Sequence, residues 1–322
     1  VDDSIGPVGR PTARIGQAAQ IARQGTVRLW LSRLVNSDAV AGYVLLLPTI
    51  AGLLLFSLGP VVASALLSFT RWDGLSAPVW TGTENYQLLL SDPVFWTALR
   101  NTALYTVGSV VPSIALALLL AIAVNQKIRG VVFFRTLFFL PVVSPPVAIA
   151  ILWGWLYNPQ YGLINAVLDR LGLPLGQWLA DPSTALPSIM ILSIWNSLGY
   201  NMVLFLAGLQ GIPQEMYEAA TIDGAGAWAR FRHVTLPLLS PTTFFVLVLA
   251  MIGAFQLFDY VFIMTQGGPM YSTLSIVLYI YQMAFQNFKL GYASSLAYVL
   301  FVIIALVTFV QFRLQRRWVH YE

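Results

Sequence analysis

Apolar blocks of twenty residues or more recur along this sequence, and a chain built that way has few ways to fold. About twenty such residues in a helix cross the roughly 30 Å hydrocarbon core of a bilayer. Only 9% of the 322 residues are charged, against about 25% in soluble domains. The sequence therefore predicts an all-α, polytopic membrane protein with about six transmembrane helices. They fall near residues 42–69, 102–124, 136–157, 185–209, 241–264 and 293–312. Pro141, Pro145 and Pro146 crowd the third span and must break or bend it. The apolar stretch Leu274–Phe285 is twelve residues long, too short to cross, and reads as re-entrant or interfacial. The expected organisation is a polar tail at 1–38, a membrane domain at 39–318 and a short tail at 319–322.

Charge placement orients these spans. Thirteen of the 17 lysines and arginines fall in the N-terminal tail, at 127–135, in the 213–237 loop and near the C-terminus. The other four are Arg71, Arg100, Arg170 and Lys289. The positive-inside rule then puts both termini in the cytoplasm, with the 213–237 loop on the same side. The tail is compatible with a basic amphipathic helix over Ile15–Leu34, or with a plain orienting tail. Placed this way, the positive charge follows membrane topology and does not point to nucleic acid.

Several kinds of chemistry are excluded by what is missing. There is no cysteine, and the histidines are only His233 and His320, so neither a thiolate nor a histidine metal cluster can form. The phosphate-cradling pattern of glycine, four residues, glycine, lysine and serine or threonine does not occur. ATP-driven work would need another chain. No catalytic residues and no cofactor are expected here.

One polar stretch, Glu215–Pro237, interrupts the apolar sequence between the fourth and fifth spans. Glu215 and Glu218 suit the first turns of a short helix. Ala219 and Ala220 permit close packing, and Asp223 is placed to cap or brace the turn. Gly224 and Gly226 allow a change of direction before Arg230, Arg232 and His233. The spacing Glu218-Ala219-Ala220, Gly224, Val234, Leu236-Pro237 resembles the signature loop of binding-protein-dependent ABC importer permeases. Val234 stands where isoleucine is usual. Arg135–Pro141, the Phe258-Asp259 pair and the Thr265–Pro269 turn resemble the carbohydrate-uptake subfamily, which includes maltose, lactose and glycerol-3-phosphate permeases.

That resemblance implies a type I importer fold with a cytoplasmic coupling helix. It implies a bacterial or archaeal plasma membrane and a partner set. The set is a second permease chain, a pair of ATPase subunits carrying ATP and Mg, and an extracytoplasmic solute-binding protein. Bilayer lipid surrounds the chain.

A solute path needs polar groups at membrane depth. The fourth span offers Trp195, Asn196, Ser197, Tyr200 and Asn201, with Asn196 and Tyr200 four apart on one face. These residues line a path for a neutral polyol, or Asn196, Ser197 and Asn201 stitch helices together. The fifth span offers Gly253, Ala254, Gln256, Leu257 and Asp259. An ionisable residue inside a span marks a functional site by default. A straight helix from Pro241 puts Asp259 about 27 Å along, near the outer interface. It reads either as a structural residue of an outer gate or as a solute contact. The competing reading is a self-sufficient secondary transporter or channel, but the sequence shows neither a duplicated half nor buried coupling charges.

Overall fold

The computed structural model describes residues 38–126 and 130–320. The tail before residue 38 lies outside them, as do Lys127 and Arg129, so the amphipathic-helix expectation does too. Two compact units divide the chain, Val1–Ala63 and Ser64–Glu322. Five helices among the described residues are long and apolar enough to cross a membrane, or six if one bent pair counts as a span.

The first span, Gly42–Leu67, comprises α1 (Asp38–Leu53), a π-helical turn (Leu54–Leu58) and α2 (Gly59–Leu67). The widened turn comes just before Pro60, whose ring has no N–H and crowds the preceding turn. None of its best apolar window is buried, which suits contact with lipid.

In the second unit, a two-rung antiparallel ladder pairs β1 (Thr70–Arg71) with β2 (Val79–Trp80). Helix α3 (Glu84–Ser91) leads into α4 (Pro93–Val124). Asp92 caps α4 by accepting from the Val94 N–H at 2.8 Å, with Pro93 at the first helical position. The helix therefore starts well before the span expected from residue 102.

The third span is the bent pair. Helices α5 (Val131–Val143) and α6 (Pro146–Leu156) meet at 99°. Pro145 cannot donate to the Pro141 carbonyl four residues back. The Asn196 amide does so instead at 3.1 Å, and the Ser144 N–H adds a bond at 3.2 Å. The prolines thus break the helix as expected, and a neighbouring helix satisfies the freed carbonyl.

After α7 (Leu163–Arg170), the long helix α8 (Pro182–Gly211) is capped by Asp181. Helices α4 and α8 lie side by side and run parallel. Tyr105 donates to Ser193 at 2.6 Å, and further along Asn201 donates to Ser113 at 3.0 Å. Ala117, Ala121, Met202 and Phe205 form a buried cluster between them. The loop following α8 therefore lies at the opposite end of the molecule from Asp92.

That loop contains α9 (Gln214–Ile222), α10 (Ala227–Arg230) and, after a π-helical turn, α11 (Leu236–Leu238). The fifth span is not continuous. Helix α12 (Ser240–Phe255) stops, residues 256–258 are non-helical, and α13 (Asp259–Met264) follows. The Leu257 carbonyl freed by the break accepts from Ser275 Oγ at 2.7 Å.

The next segment is tied along α4. Asn101 donates to the carbonyls of Tyr271 and Leu274, and the Ile276 N–H donates to Thr102 Oγ1. Helix α14 (Ile276–Tyr281), prolonged to Gln286, carries Tyr279 to Asp92 and so runs antiparallel to α4. The last span, α15 (Leu290–Gln315), returns to the loop end. There Trp318 meets Phe244, and the His320 N–H donates to Ser240 Oγ.

Candidate functional site

The 213–237 loop is a braced, exposed knob. Pro213 is the residue just before α9. The helix ends in a Schellman motif: the Ala225 N–H reaches the Ala220 carbonyl at 2.9 Å and the Gly224 N–H reaches Thr221 at 3.1 Å. Gly224 has φ +79°, the left-handed conformation such an ending requires. Tyr217 hydroxyl meets Thr235 Oγ1 at 3.1 Å and Arg230 donates to Thr221 Oγ1 at 3.2 Å, locking the two segments together.

Glu215, Glu218, Ala219, Asp223 and Gly224 are exposed, and Ala220 is half-buried. No hydrogen bond or ion pair engages the side chains of Glu215, Glu218 or Asp223 among the described residues. The bracing role expected for the Asp223 side chain is thus absent, because backbone bonds alone close the turn. The sequence reading also passed over two apolar side chains on this knob: Ile222 is 87% exposed and Trp228 71%.

A cavity of about 310 Å³ lies between α4, α8, α12 and α13. Ser197, Tyr200, Gly253, Ala254, Gln256, Leu257 and Asp259 all line it. Asn196 does not, since its amide is engaged at the α5–α6 bend. Of the two roles open to Asn196, the structure gives it the stitching one.

The cavity has two contrasting walls. Tyr105, Ser109 and Ser113 from α4 face Ser193, Ser197 and Asn201 from α8. Ser113 and Ser197 hydroxyls are 2.7 Å apart. The α4 residues recur every four positions on one helical face, a signal the sequence carried and the reading missed. Opposite lie Ala250, Gly253 and Ala254, and a Cβ added at Gly253 would meet no atom within 4 Å. Among the described residues Asp259 is the only aspartate or glutamate lining the cavity, and no lysine, arginine or histidine lines it. Asp259 opens α13 just after the break at 256–258 and lines the cavity.

At the far end, Asp92 ties three elements. Its Oδ2 accepts from Tyr279 at 2.5 Å and from Tyr292 at 2.7 Å. Burial pulls this carboxyl upward, but bonds from Tyr279, Tyr292 and the Val94 and Phe95 amides outweigh that and hold it below the usual value. Among the described residues no three histidine, aspartate or glutamate side chains gather as a metal site.

Long apolar helices, a bent span and a partly polar cavity between the helices define a multi-pass membrane protein. The chain belongs to the family described as binding-protein-dependent transport system inner membrane component, which matches residues 102–320. It is a permease of the ABC importer class, with the type I fold. It is 40% identical to the probable ABC transporter permease protein YesP of Bacillus subtilis, over 90% of this chain and 95% of that one. It is also 40% identical to the lactose transport system permease protein LacF of Rhizobium radiobacter, over 85% and 93%. A crystal structure of a bacterial ABC transporter that imports the acidic polysaccharide alginate has a chain similar to this one. That match has a TM-score of 0.78 and 25% identity, over 90% of this chain and 99% of the other.

Proposed function

We propose that this chain forms half of a membrane path for a neutral saccharide and is moved by ATPase subunits gripping residues 213–237. The observation that carries the solute class is the cavity between α4, α8 and α12. It offers hydroxyls, an amide and the Tyr200 ring, and its one acidic side chain is Asp259. Hydroxyl groups find donors and acceptors there, whereas a phosphate or uronate meets the Asp259 carboxylate and no base. Relatives bear the names of lactose, sn-glycerol-3-phosphate and trehalose/maltose permeases. Those names span neutral and anionic solutes, and the cavity favours the neutral ones.

The coupling role of the knob is supported by rigidity combined with exposure. Glu215, Glu218 and Asp223 stand free beside the small Ala219 and Ala220, on a support locked from within. An ATPase pair closing on ATP and Mg would carry the knob and tilt α8 and α12. This places the knob and both termini in the cytoplasm, and Asp92 at the outer face. A second permease chain completes the path, and an extracytoplasmic binding protein delivers the solute there.

The test is reconstitution in proteoliposomes with the neighbouring permease, the ATPase and the binding protein. ATP-dependent uptake of a neutral disaccharide in preference to glycerol phosphate is expected. Uptake by this chain alone without nucleotide would overturn the coupling role, and preferred uptake of the anion would overturn the solute class.

A further inference from the structure

A larger cavity, about 590 Å³, lies at the Asp92 end and shares no lining residue with the translocation cavity. Its base is the Asp92–Tyr279–Tyr292 knot, which fastens α4, α14 and α15. Three polar groups around it are left open. Asn85 is 6% exposed, and its amide nitrogen donates to the carbonyls of Ser68 and Thr70 at 2.8 Å each. Its Oδ1 has no partner among the described residues. Glu84 gives Oε1 to Arg71 at 2.6 Å and keeps Oε2 free. The Lys289 side chain lines the cavity with no partner among the described residues. Trp72 also lines it, held by its indole N–H on the Ser76 carbonyl at 2.7 Å.

The charges around this cavity oppose one another. An anion drawn to Lys289 meets Asp92 and Glu84. A cation drawn to those carboxylates meets Lys289 and Arg71. A neutral polyhydroxylated ligand suffers neither repulsion. Its hydroxyls donate to Asn85 Oδ1 and Glu84 Oε2 and accept from Lys289, while a sugar's C–H face lies against the Trp72 ring. Lipid tails filling this crevice would leave Asn85 Oδ1, Glu84 Oε2 and the Lys289 ammonium without polar partners.

We propose that this cavity is a second saccharide site, separate from the translocation path and on the face where solute arrives. It takes its chemical class from the neutral-saccharide reading above, and its location from Asn85, Glu84, Lys289 and Trp72. It would hold sugar beside the membrane path before or after release from a delivering protein.

The experiment uses the full chain with its copurifying membrane partners in phosphatidylcholine nanodiscs, free of sugar detergents. Lactose, maltose and trehalose are the probes, and saturation-transfer NMR reads their binding. Gly253→Trp fills the translocation cavity from open space. Binding should persist in that variant and weaken about tenfold when Trp72→Ala or Lys289→Ala is added, equivalent to ~1.4 kcal/mol. Lys289 is exposed, so its removal leaves the fold intact. Wild-type uptake of a neutral disaccharide with no sugar bound to Gly253→Trp overturns the second site and leaves the transport reading standing. Displacement of bound sugar by added phosphatidylglycerol reassigns the cavity to lipid and overturns the proposal. Preferred uptake of an anionic solute is the separate result that removes the saccharide reading itself.

Discussion

Replacing Gly199 with alanine tests whether the bent third span is held by backbone contact. Gly199 is buried in the middle of α8, and an ideal Cβ there would lie 2.1 Å from the Phe138 carbonyl oxygen. It would also lie 2.8 Å from the Phe138 carbonyl carbon and 2.9 Å from the Phe139 Cα. All three are backbone atoms, so no side chain can rotate away. Ordinary contact begins at 3.4 Å, which requires α5 and α8 to separate by about 1.3 Å.

One turn away, Asn196 donates to the Pro141 carbonyl at 3.1 Å, and a shift of that size carries the pair beyond hydrogen-bond reach. Overpacking costs roughly 1–3 kcal/mol. Losing the Asn196 bond costs about 0.5–1.5 kcal/mol more, since the Ser144 N–H still serves the Pro141 carbonyl. Alanine's better helix propensity returns at most about 1 kcal/mol. The net loss is therefore roughly 0.5–4.5 kcal/mol, read as a lower thermal inactivation temperature of the purified protein in detergent.

Gly253→Ala is the control, because its new methyl meets nothing within 4 Å. Asn196→Ala should overlap with Gly199→Ala, giving a double variant less damaged than the two losses added. A Gly199→Ala protein as stable as its parent would refute the backbone-contact argument.

Four other outcomes are expected. Gly224→Asp forces a side chain into φ +79° at a cost of about 1 kcal/mol; it and Glu218→Lys should leave the chain in the membrane but abolish most ATP-driven uptake. Ile222→Ala and Trp228→Ala remove exposed apolar surface from the knob, so thermal stability should hold while copurification of the ATPase falls. Gly253→Trp should block uptake without lowering thermal stability, since its Cβ points into open space. For Asp92, a carboxyl held below its usual value in the fold stabilises fully above that usual value, about 4. The stabilisation is lost as pH falls through the lower folded value, so acid should depress the wild-type thermal midpoint more steeply than that of Asp92→Asn.

The spans were readable because bilayer thickness fixes their length, and the third-span bend was readable because prolines announce it. The break at 256–258 was not. No proline or glycine occupies those positions. Ser275, far along the chain, stabilises the opened Leu257 carbonyl, and α13 packs on α6. Asp92 was legible as a helix start, since Asp-Pro caps helices locally. Its attachment to Tyr279 and Tyr292 was not, because those residues are distant in sequence and sit in apolar runs. Tyr105, Ser109 and Ser113 were in plain view at four-residue spacing. They were passed over because hydroxyls in an apolar helix commonly satisfy themselves on the preceding turn. Ser109 does that, donating to the Tyr105 carbonyl at 2.7 Å, and still lines the cavity.

Polar residues inside this membrane protein separate by the partner each one finds. Asn196, Asn101 and Ser275 all donate to backbone carbonyls outside regular helical pairing, near the α5–α6 bend, in the segment after α13 and at the α12–α13 break. The Leu257 carbonyl has Ser275 as its donor, while the Pro141 and Tyr271 carbonyls gain a second bond beside the Ser144 and Leu274 N–H groups, so these side chains stabilise irregular backbone. Ser113, Ser197 and Asn201 bond one another and retain accepting capacity toward the cavity. The glycines divide in the same way, with Gly199 against backbone and Gly253 against open space. Irregular backbone and cavity therefore arise together. The 99° bend and the 256–258 break interrupt helices that flank the cavity, and Pro146, Gln256, Leu257 and Phe258 from those interruptions line it. Straightening either break would withdraw those residues from the cavity, so the helix interruptions are a condition for the cavity rather than a by-product of it.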